Sequence, residues 1–279
     1  MTKMERPILA VLMTVHDRRE TTLFCLKHLF DNDTEKYCIQ VYLVDDGCTD
    51  GTAEAVVKKY PDVNVIKGDG SLFWNRGMIR AWQEADKDNP DFFLWLNDDT
   101  MLFEHAVEII MSDYKTLPEL SVLSGATCAT FDNNKVTYGG NTTIMLTPNG
   151  LPQRINVMNG NFVLIPKCVR KKIGINDPKF THSYGDREYS IRCHKNGVDV
   201  YLTSAFVGTC DRHDNSKKCY DSRYGLIERL RYFYSPLGNP PSELFYLYSK
   251  EKGALFGVRV VVSHFIQVLF PKFAKKLFN

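Results

Sequence analysis

Short apolar runs alternate with stretches of helical spacing over the first hundred residues. Runs rich in β-branched, aromatic and leucine residues predict strands at 8–15, 39–45, 63–66 and 92–97. Between them, apolar positions recur every three or four residues, which predicts helices over 19–30, after the capping pair Thr49-Asp50, and over 78–85. Strands and helices in alternation are typical of a mostly parallel sheet covered by helices, so the predicted fold class is α/β.

The pattern becomes less regular after residue 130. Residues 130–160 are rich in Asn, Thr, Gly and Pro and predict loops or short hairpins. Strands are predicted at 162–166 and 198–202, with a helix between them that begins near Asp186 and ends at Asn196-Gly197. From 222 onward the pattern predicts helices with a break at SPLGNPPS. We therefore expect a sheet domain at 1–220 and a helical C-terminal extension at 221–279.

Polar clusters follow the strands predicted in the N-terminal part. In a parallel sheet of this kind, ligands bind beyond the carboxyl ends of the strands. We therefore expect these clusters to meet at one edge of the sheet. They are TVHDR (14–18), DDGCTDGT (45–52), GDGSLFWNRG (68–77) and NDDT (97–100).

Composition argues against several classes of protein. Lys and Arg number 35 and Asp and Glu 33, and this near balance is not the signature of a nucleic-acid-binding protein. The eight cysteines form no CxxC pair, so the sequence indicates neither a cysteine metal site nor a disulfide scaffold, and we expect reduced thiols in a cytosol. The N-terminal apolar run predicts a strand and not a secretion signal, and no run of about 20 apolar residues predicts a membrane span.

Two pairs of adjacent acids each allow two interpretations. Asp45 and Asp46 follow a strand, where a carboxylate can accept hydrogen bonds from a nucleobase or a ribose, or can cap a turn and a helix. Asp98 and Asp99 follow a buried strand, and neighbouring carboxylates repel each other unless positive charge lies beside them. They are either ligands of a hard cation that offsets a diphosphate, or a solvated helix cap, which is the commoner case when such a pair is taken alone.

Other candidates for a site lie further along the chain. Asp186 follows a glycine at a loop-to-helix junction, where its carboxylate could take a proton from a hydroxyl, with Glu188 near enough to position a substrate. Helix capping and a solvated helix face are the commoner roles of such acids. His213 could ligate a metal, although a single loop histidine is more often simply exposed. Trp74, in a glycine-containing segment, could line a cleft.

The tail at 253–279 is apolar and ends in three lysines, Lys272, Lys275 and Lys276. A basic, apolar helix of this kind can lie on an anionic membrane surface. It can equally pack on the protein's own core or at an oligomer interface, because amphipathicity alone does not separate these alternatives.

The order and spacing of these motifs resemble the family 2 glycosyltransferases over about residues 7–215. The resemblance rests on TVHDR, VDDGCTDGT, WNRG, LNDDT and YGDREYSIR. It implies the GT-A fold, a nucleotide-binding α/β sandwich, and an inverting enzyme that uses nucleotide sugars. The WNRG variant and the tail are most similar to those of bacterial enzymes that build surface polysaccharides.

The resemblance also implies roles for particular residues. Asp186, in register with Arg192, takes the position of the catalytic base. Asp99 takes the position of a ligand for Mn²⁺ or Mg²⁺, and His213 that of a metal ligand found in some members. A Thr near the end of the first strand, here Thr14 or its neighbour Val15, holds the nucleoside together with Asp45. The full set expected to bind substrate is Thr14, Val15, Asp45, Asp46, Asp69, Trp74, Asn75, Gly77, Asp98, Gly160, Asn161 and Glu188.

Some positions depart from the family's pattern. His16-Asp17 stand where Tyr-Asn is common, Gly185 replaces the acid before Asp186, and Asn97 replaces the first Asp of a DxD motif. These departures are compatible with the fold and leave the donor and the second metal contact open.

The implied donor is a UDP- or dTDP-sugar, and the implied acceptor is a hydroxyl of a saccharide or a lipid-linked saccharide. The expected location is the cytoplasm, at the inner face of the plasma membrane. A non-catalytic sugar-nucleotide-binding protein is one alternative, since it would keep Asp45 and Asp99 and lose only the base. A sugar nucleotidyltransferase is less favoured, because its first strand is normally followed by a glycine-rich basic segment and TVHDRRE contains no glycine.

Overall fold

The computed structural model describes residues 6–32, 36–212 and 218–273. The chain forms two compact units, and each is described by itself. The first comprises Met1–Pro178 and Asp186–Arg212, and the second comprises Lys179–Gly185 and His213–Asn279. The boundary at residue 220 stays a prediction.

The strands belong to the first unit. They are β1 (Ile8–Val15), β2 (Cys38–Asp45), β3 (Asn64–Lys67), β4 (Phe92–Leu96), β5 (Met101–Leu102), β6 (Ser121–Ala129), β7 (Asp132–Tyr138), β8 (Gly140–Asn141), β9 (Gln153–Arg154), β10 (Val157–Met158), β11 (Phe162–Pro166) and β12 (Asp199–Thr209).

The helices run through both units. They are α1 (Arg19–Asp31), α2 (Thr52–Lys59), α3 (Phe73–Ala85), α4 (Ala106–Lys115), α5 (Lys167–Ile173), α6 (Gly185–Lys195), α7 (Leu226–Tyr234), α8 (Pro241–Lys252) and α9 (Ala254–Leu269).

The main sheet has the strand order β3-β2-β1-β4-β11-β6-β12-β5. Its first four strands are parallel, so the carboxyl ends of β2, β1 and β4 lie at the same edge. Strand β11 joins β4 in antiparallel register, with Phe162 opposite Leu96. The chain just before β11 therefore lies beside the chain just after β4, which brings two polar segments together.

Alternation along β1 divides the core into two layers. Leu9, Val11 and Met13 are buried on one face of the sheet, with apolar residues of α1 and α4. Ala10 and Leu12 are buried on the other face, with residues of α3 and α6. Because both faces of the sheet are covered, the central strands are mostly apolar, which explains the short apolar runs in the sequence.

Three elements differ from their predictions for physical reasons. Strand β6 was not predicted, because its sequence SVLSGATCA buries hydroxyls such as Ser124, which donates to Gly139 O at 2.5 Å. Helix α3 begins at Phe73 and not at 78, because a distant acid accepts the N–H groups of its first turn. Strand β12 extends to Thr209, well beyond the predicted end at 202.

The second unit contains α7, α8 and α9, which confirms the predicted helical C-terminal part. Helix α8 has Pro241 at its first position, where a missing N–H costs nothing. The buried core of the second unit is small and, among the described residues, consists of Cys219, Phe233, Leu244 and Val268. Within the described ranges, the structure contains no helix that is both long and apolar enough to cross a bilayer.

Candidate active site

The two acids after β4 share one guanidinium. Arg18 follows β1, and its Nη1 lies 3.1 Å from Asp98 Oδ1 and 3.0 Å from Asp99 Oδ2. Thr22, on the first turn of α1, donates to Asp98 Oδ2 at 3.4 Å. The pair is therefore neither a bare helix cap nor fully solvated, since a positive charge bridges it.

Burial distinguishes the two acids of this pair. Asp98 is only 6% exposed, and loss of solvation raises the pKa of its carboxyl to about 6 despite the nearby Arg18. Asp99 is more accessible, with a side chain 19% exposed. Asp99 is thus the better placed of the two to contact a ligand.

Sequence reasoning did not identify Arg18 as a site residue. The signal was present, because two adjacent acids at the end of a buried strand need a positive partner. TVHDRRE supplies two arginines at the neighbouring strand end, Arg18 and Arg19, and the sequence does not say which of them turns inward. In the structure Arg18 does, whereas Arg19 lies 3.7 Å from the exposed Glu20.

This arrangement predicts that Arg18→Ala destabilises the protein in the presence of a chelator. Two neighbouring carboxylates would lose their shared counter-charge, and we expect the free energy of unfolding to fall by about 1 kcal/mol, a modest value because Arg18 is partly exposed. Urea denaturation measures the change. Arg19→Ala is the matched control and should change stability by less than about 0.5 kcal/mol. Equal effects of the two substitutions would contradict the bridging role.

Asp46 organises the start of α3 from a distance in the sequence. Its Oδ1 accepts the N–H groups of Gly70 at 2.9 Å and Leu72 at 3.2 Å, and its Oδ2 accepts that of Phe73 at 2.8 Å. Asp46 is 4% exposed. Of the two interpretations of this acid, its contacts support capping, because both oxygens are used by the backbone of the next loop.

Thr14 and Gly77 lie against each other at the ends of β1 and α3. A Cβ added at Gly77 would lie 2.2 Å from Thr14 Oγ1, so the helix approaches the strand this closely only because residue 77 has no side chain. Thr14 is partly buried at this contact, and its neighbour Val15 is buried. Asn75 is also fully buried and donates to Asp177 O at 3.0 Å.

Two further acids follow β2 and β3, namely Asp45, at the end of β2, and Asp69, in the loop after β3. Asp45 is partly buried, and its Oδ1 accepts the Cys48 N–H at 2.8 Å. Asp69 is exposed, and hydrogen bonds from Ser71 hold the pKa of its carboxyl below the usual range. The lowered pKa keeps Asp69 charged at neutral pH, and both acids retain some exposure to solvent.

Trp74 connects the end of β4 to the segment before β11. Its Nε1 donates to Asn97 Oδ1 at 2.7 Å, which gives Asn97 a partner within the protein. A Cβ on Gly160 would lie 2.5 Å from Trp74 Cζ2, so the indole ring lies directly on the backbone of residue 160. The neighbouring Asn161 accepts the Asn97 N–H at 2.9 Å. Its amide group is buried and donates to Cys210 Sγ at 3.3 Å.

Asp186 lies on the other side of Gly160. Its Oδ2 accepts the Gly160 N–H at 3.1 Å, and its Oδ1 accepts the Arg187 N–H at 2.7 Å. Although these donors favour the charged form, burial has the larger effect and raises the pKa of Asp186. A partly buried carboxylate with a raised pKa is a better proton acceptor than a solvated one.

Glu188 is buried and paired inside the protein. It is 1% exposed, and its two oxygens lie 3.2 Å from Arg192 Nε and 2.9 Å from Arg192 Nη2. The same guanidinium donates to the carbonyls of Ile173 and Ile175. These contacts give Glu188 and Arg192 a structural role, which is to fix α6 and hence the backbone on which Asp186 sits.

An aromatic cluster fixes the elements that carry the acids. Trp95 of β4 lies 5.8 Å from Trp82 of α3 and 5.4 Å from Tyr189 of α6, measured between ring centroids. Trp74 contacts Trp95 edge to face at 5.7 Å. Each fully buried aromatic side chain contributes about 2–3 kcal/mol. The cluster therefore keeps the end of β4 and the start of α6 in a constant relation.

The acid pair after β4 fits a hard divalent cation. Asp98 and Asp99 present carboxylate oxygens, which Mg²⁺ and Mn²⁺ prefer, and Arg18 Nη1 contacts one oxygen of each acid. Cys210 Sγ lies 3.7 Å from Asp99 Oδ1, and burial raises the pKa of its thiol to about 12. His213 lies outside the described residues, and its role stays a prediction.

A second group of potential ligands lies between the loops after β1 and β2. One atom each of Asp17, Cys48 and Asp50 lie within 4.8 Å of one another. Asp17 accepts the Thr49 N–H at 2.6 Å, Asp50 accepts the Thr52 N–H at 3.0 Å, and burial raises the pKa of Cys48 to about 12. These groups serve to join the two loops, which leaves the acid pair after β4 as the better cation site.

Comparison with protein families gives one match. The family is described as Glycosyl transferase family 2, and its sequence model matches residues 10–176, which is more than half of the chain. No curated protein matches the chain.

Solved structures of the same architecture include several sugar-transferring enzymes. The mannosyltransferase PcManGT of Pyrobaculum calidifontis, in complex with GDP-Man and Mn²⁺, is 12% identical with a TM-score of 0.56, over 93% of this chain and 75% of that one. S. aureus TarS 1–349 is 13% identical with a TM-score of 0.56, over 94% and 81%. GalNAc-T7 with UDP, GalNAc and Mn²⁺ is 13% identical with a TM-score of 0.57, over 95% and 58%. The predicted α/β fold of the GT-A type is confirmed.

Proposed function

The chain belongs to glycosyl transferase family 2 and is a glycosyltransferase, and we propose that it moves a sugar from a UDP- or dTDP-sugar to a hydroxyl of a saccharide or lipid-linked saccharide. Structures of the same fold were solved with GDP-Man and Mn²⁺ or with UDP, GalNAc and Mn²⁺, which supports a nucleotide-sugar donor and a divalent cation here. The similarity of WNRG and the tail to polysaccharide-building enzymes supports a place in bacterial surface polysaccharide synthesis.

One observation carries the proposal. A continuous path of contacts runs from Asp186 to the Gly160 N–H, from Gly160 to the Trp74 ring, and from the Trp74 N–H to Asn97. Asn97 is followed directly by the acid pair that fits a cation. A proton acceptor and a cation-binding pair therefore border one small region, as transfer from a charged leaving group to a hydroxyl requires.

Asp99, with Asp98 beside it, holds the cation in this proposal. When bound, the cation neutralises the negative charge on the leaving nucleoside diphosphate. Asp98 stays buried under Thr22 and Arg18 and orients the pair, while the more accessible Asp99 faces the ligand.

The nucleoside binds at the ends of β1 and β2. Asp45 and the exposed Asp69 offer carboxylate acceptors for a base N–H or a ribose hydroxyl, and Thr14, near the end of the neighbouring β1, packs against Gly77 of α3. Asp46 and Asn75 act indirectly, because their side chains are engaged in holding the loop and the helix.

Asp186 removes the proton of the acceptor hydroxyl. The acceptor oxygen then forms a bond to the anomeric carbon of the donor sugar, while the bond from that carbon to the diphosphate oxygen breaks and its electron pair leaves with the nucleoside diphosphate. A single displacement of this kind inverts the anomeric configuration and needs no protein nucleophile. The raised pKa of Asp186 suits this role, and the Trp74 ring provides a flat apolar wall for the sugar.

A ligand screen tests the proposal. UDP-, dTDP- and GDP-sugars are each added with Mn²⁺, and the melting temperature of the full chain is recorded. We expect one nucleobase to raise it by roughly 5 °C at a concentration about one hundred times Kd, and a chelator to remove the effect. The nucleoside monophosphate of the same base is the control and should have a much smaller effect. The proposal would be wrong if no nucleotide sugar shifted the transition in Mn²⁺.

A further inference from the structure

Helix α9 exposes a stripe of apolar side chains. Leu255, Val258, Val262, Ile266 and Leu269 are between 39% and 89% exposed. Their spacing of three or four residues places them on one side of the helix. Exposed apolar residues are ordinary when scattered, but a continuous row along a whole helix marks a contact surface.

The opposite side of α9 already has its packing partners within the second unit. A Cβ on Gly257 would lie 2.3 Å from Ser249 Oγ of α8, so the two helices are in close contact there. Val268 is fully buried with Phe233 of α7, and Arg229 Nε donates to Val268 O at 2.9 Å. The exposed stripe is therefore not required for the core of this unit.

The charges along the stripe and beyond its end are positive, whereas Lys252, just before the helix, lies 3.8 Å from Glu251. The sequence from Lys252 to Asn279 contains no Asp or Glu and carries Lys252, Arg259, Lys272, Lys275 and Lys276. Arg259 is exposed beside the stripe, and Lys272 is exposed just beyond the helix end, between Phe270 and Phe273, which are about 60% exposed. An apolar face edged by cations and followed by aromatic residues suits an anionic interface.

We propose that the α9 stripe binds the surface of an anionic lipid bilayer, with the helix lying in the plane of the headgroups. The helix has 16 residues and so is roughly 24 Å long, shorter than the roughly 30 Å apolar layer it would have to cross. A second copy of the chain is a weaker match for the stripe, because pairing two such faces brings like charges together. An anionic bilayer neutralises them.

Sedimentation with vesicles tests the proposal on the full chain. We expect the parent protein to sediment with phosphatidylcholine vesicles that contain phosphatidylglycerol, and much less with pure phosphatidylcholine or at high salt. The double variant Val258→Asp, Val262→Asp should lower the partition coefficient at least about tenfold, since it places carboxylates in the apolar face.

Val57→Asp is the matched control, because Val57 lies on α2 and is 49% exposed, close to the 50% of Val258 and Val262. It should sediment like the parent, and circular dichroism should show all variants folded. Lys272→Glu with Arg259→Glu should weaken binding to the anionic vesicles only. The proposal is overturned if the parent does not sediment with anionic vesicles or if the double variant sediments like the parent. It is equally overturned if the double substitution converts a dimer to a monomer without changing vesicle binding.

Discussion

Replacing Asp186 with Asn is expected to lower kcat by about 10²- to 10⁴-fold and to leave donor affinity almost unchanged. The amide keeps the size and shape of the carboxyl group but cannot accept the acceptor's proton. This loss corresponds to roughly 3–5 kcal/mol of activation free energy. Initial rates with the parent and the variant, at saturating donor and acceptor, measure it.

The hydrogen bonds of Asp186 add a second, smaller effect. Its two oxygens each accept a backbone N–H, from Arg187 and from Gly160, and an Asn side chain has only one acceptor oxygen. We therefore expect Asp186→Asn to lose about 1 kcal/mol of stability. Asp113→Asn is the matched control, because Asp113 is a buried acid that accepts the Ser204 N–H at 2.7 Å. Because the one amide oxygen of Asn can keep this single bond, the substitution should cost less stability than Asp186→Asn and should retain normal turnover.

Near-normal turnover by Asp186→Asn would assign the base to another residue. Equal loss of activity in Asp113→Asn would instead show that stability, and not proton transfer, limits the assay.

Replacing Asp99 with Ala is expected to weaken the binding of a nucleoside diphosphate in Mn²⁺ by at least about 100-fold. Removing a group that only supports a metal ligand already costs about 10- to 100-fold in metal affinity. Removing a ligand itself should cost at least as much. Asp99 is the more exposed acid of the pair after β4, so its removal leaves the buried Asp98 as the main carboxylate there. Isothermal titration calorimetry measures the dissociation constant of the nucleoside diphosphate for the parent and for Asp99→Ala.

Asp62→Ala provides the control for the loss of one negative charge. Asp62 lies in an exposed turn between α2 and β3, outside the proposed site. It should bind the nucleotide like the parent. Unchanged affinity of Asp99→Ala in Mn²⁺ would remove the proposed cation site from the β4 end.

The sequence predicted the inner strands of the parallel half well because they are largely buried on both faces. Strands β1, β2 and β4 are mostly apolar, and a polar segment follows each of them. Both features are local, so they are visible without knowledge of the fold. The polar segment after β4 contains the acid pair, and the structure places this pair at the end of the strand, as predicted.

Elements held by distant contacts could not be predicted in the same way. The first turn of α3 depends on Asp46, which lies 27 residues before Phe73. Strand β6 buries Ser121, Ser124 and Thr127, whose polarity resembles that of a loop until their partners in space are known. Local sequence patterns contain no information on such partners.

The same limit applies to the candidate site. The acids at 98 and 99 were recognised by their position, but Arg18, which pairs with both, lies about 80 residues away in the chain. Asn75 and Glu188 are predicted to touch substrate, which stays a prediction, and both are buried in the structure. Whether a polar side chain points into a cleft or into the protein depends on packing, which one sequence does not specify.

In the proposed mechanism the site has two separable halves, one that binds the nucleotide with a cation and one that accepts the proton. Calorimetric titration of the nucleoside diphosphate in Mn²⁺ into the parent, Asp99→Ala and Asp186→Asn tests it most directly. We expect a Kd for Asp186→Asn within about threefold of that of the parent, because a proton acceptor contributes little to donor binding. For Asp99→Ala we expect binding at least about 100-fold weaker than that of the parent. Equal losses in the two variants, or no loss in Asp99→Ala, would contradict this mechanism.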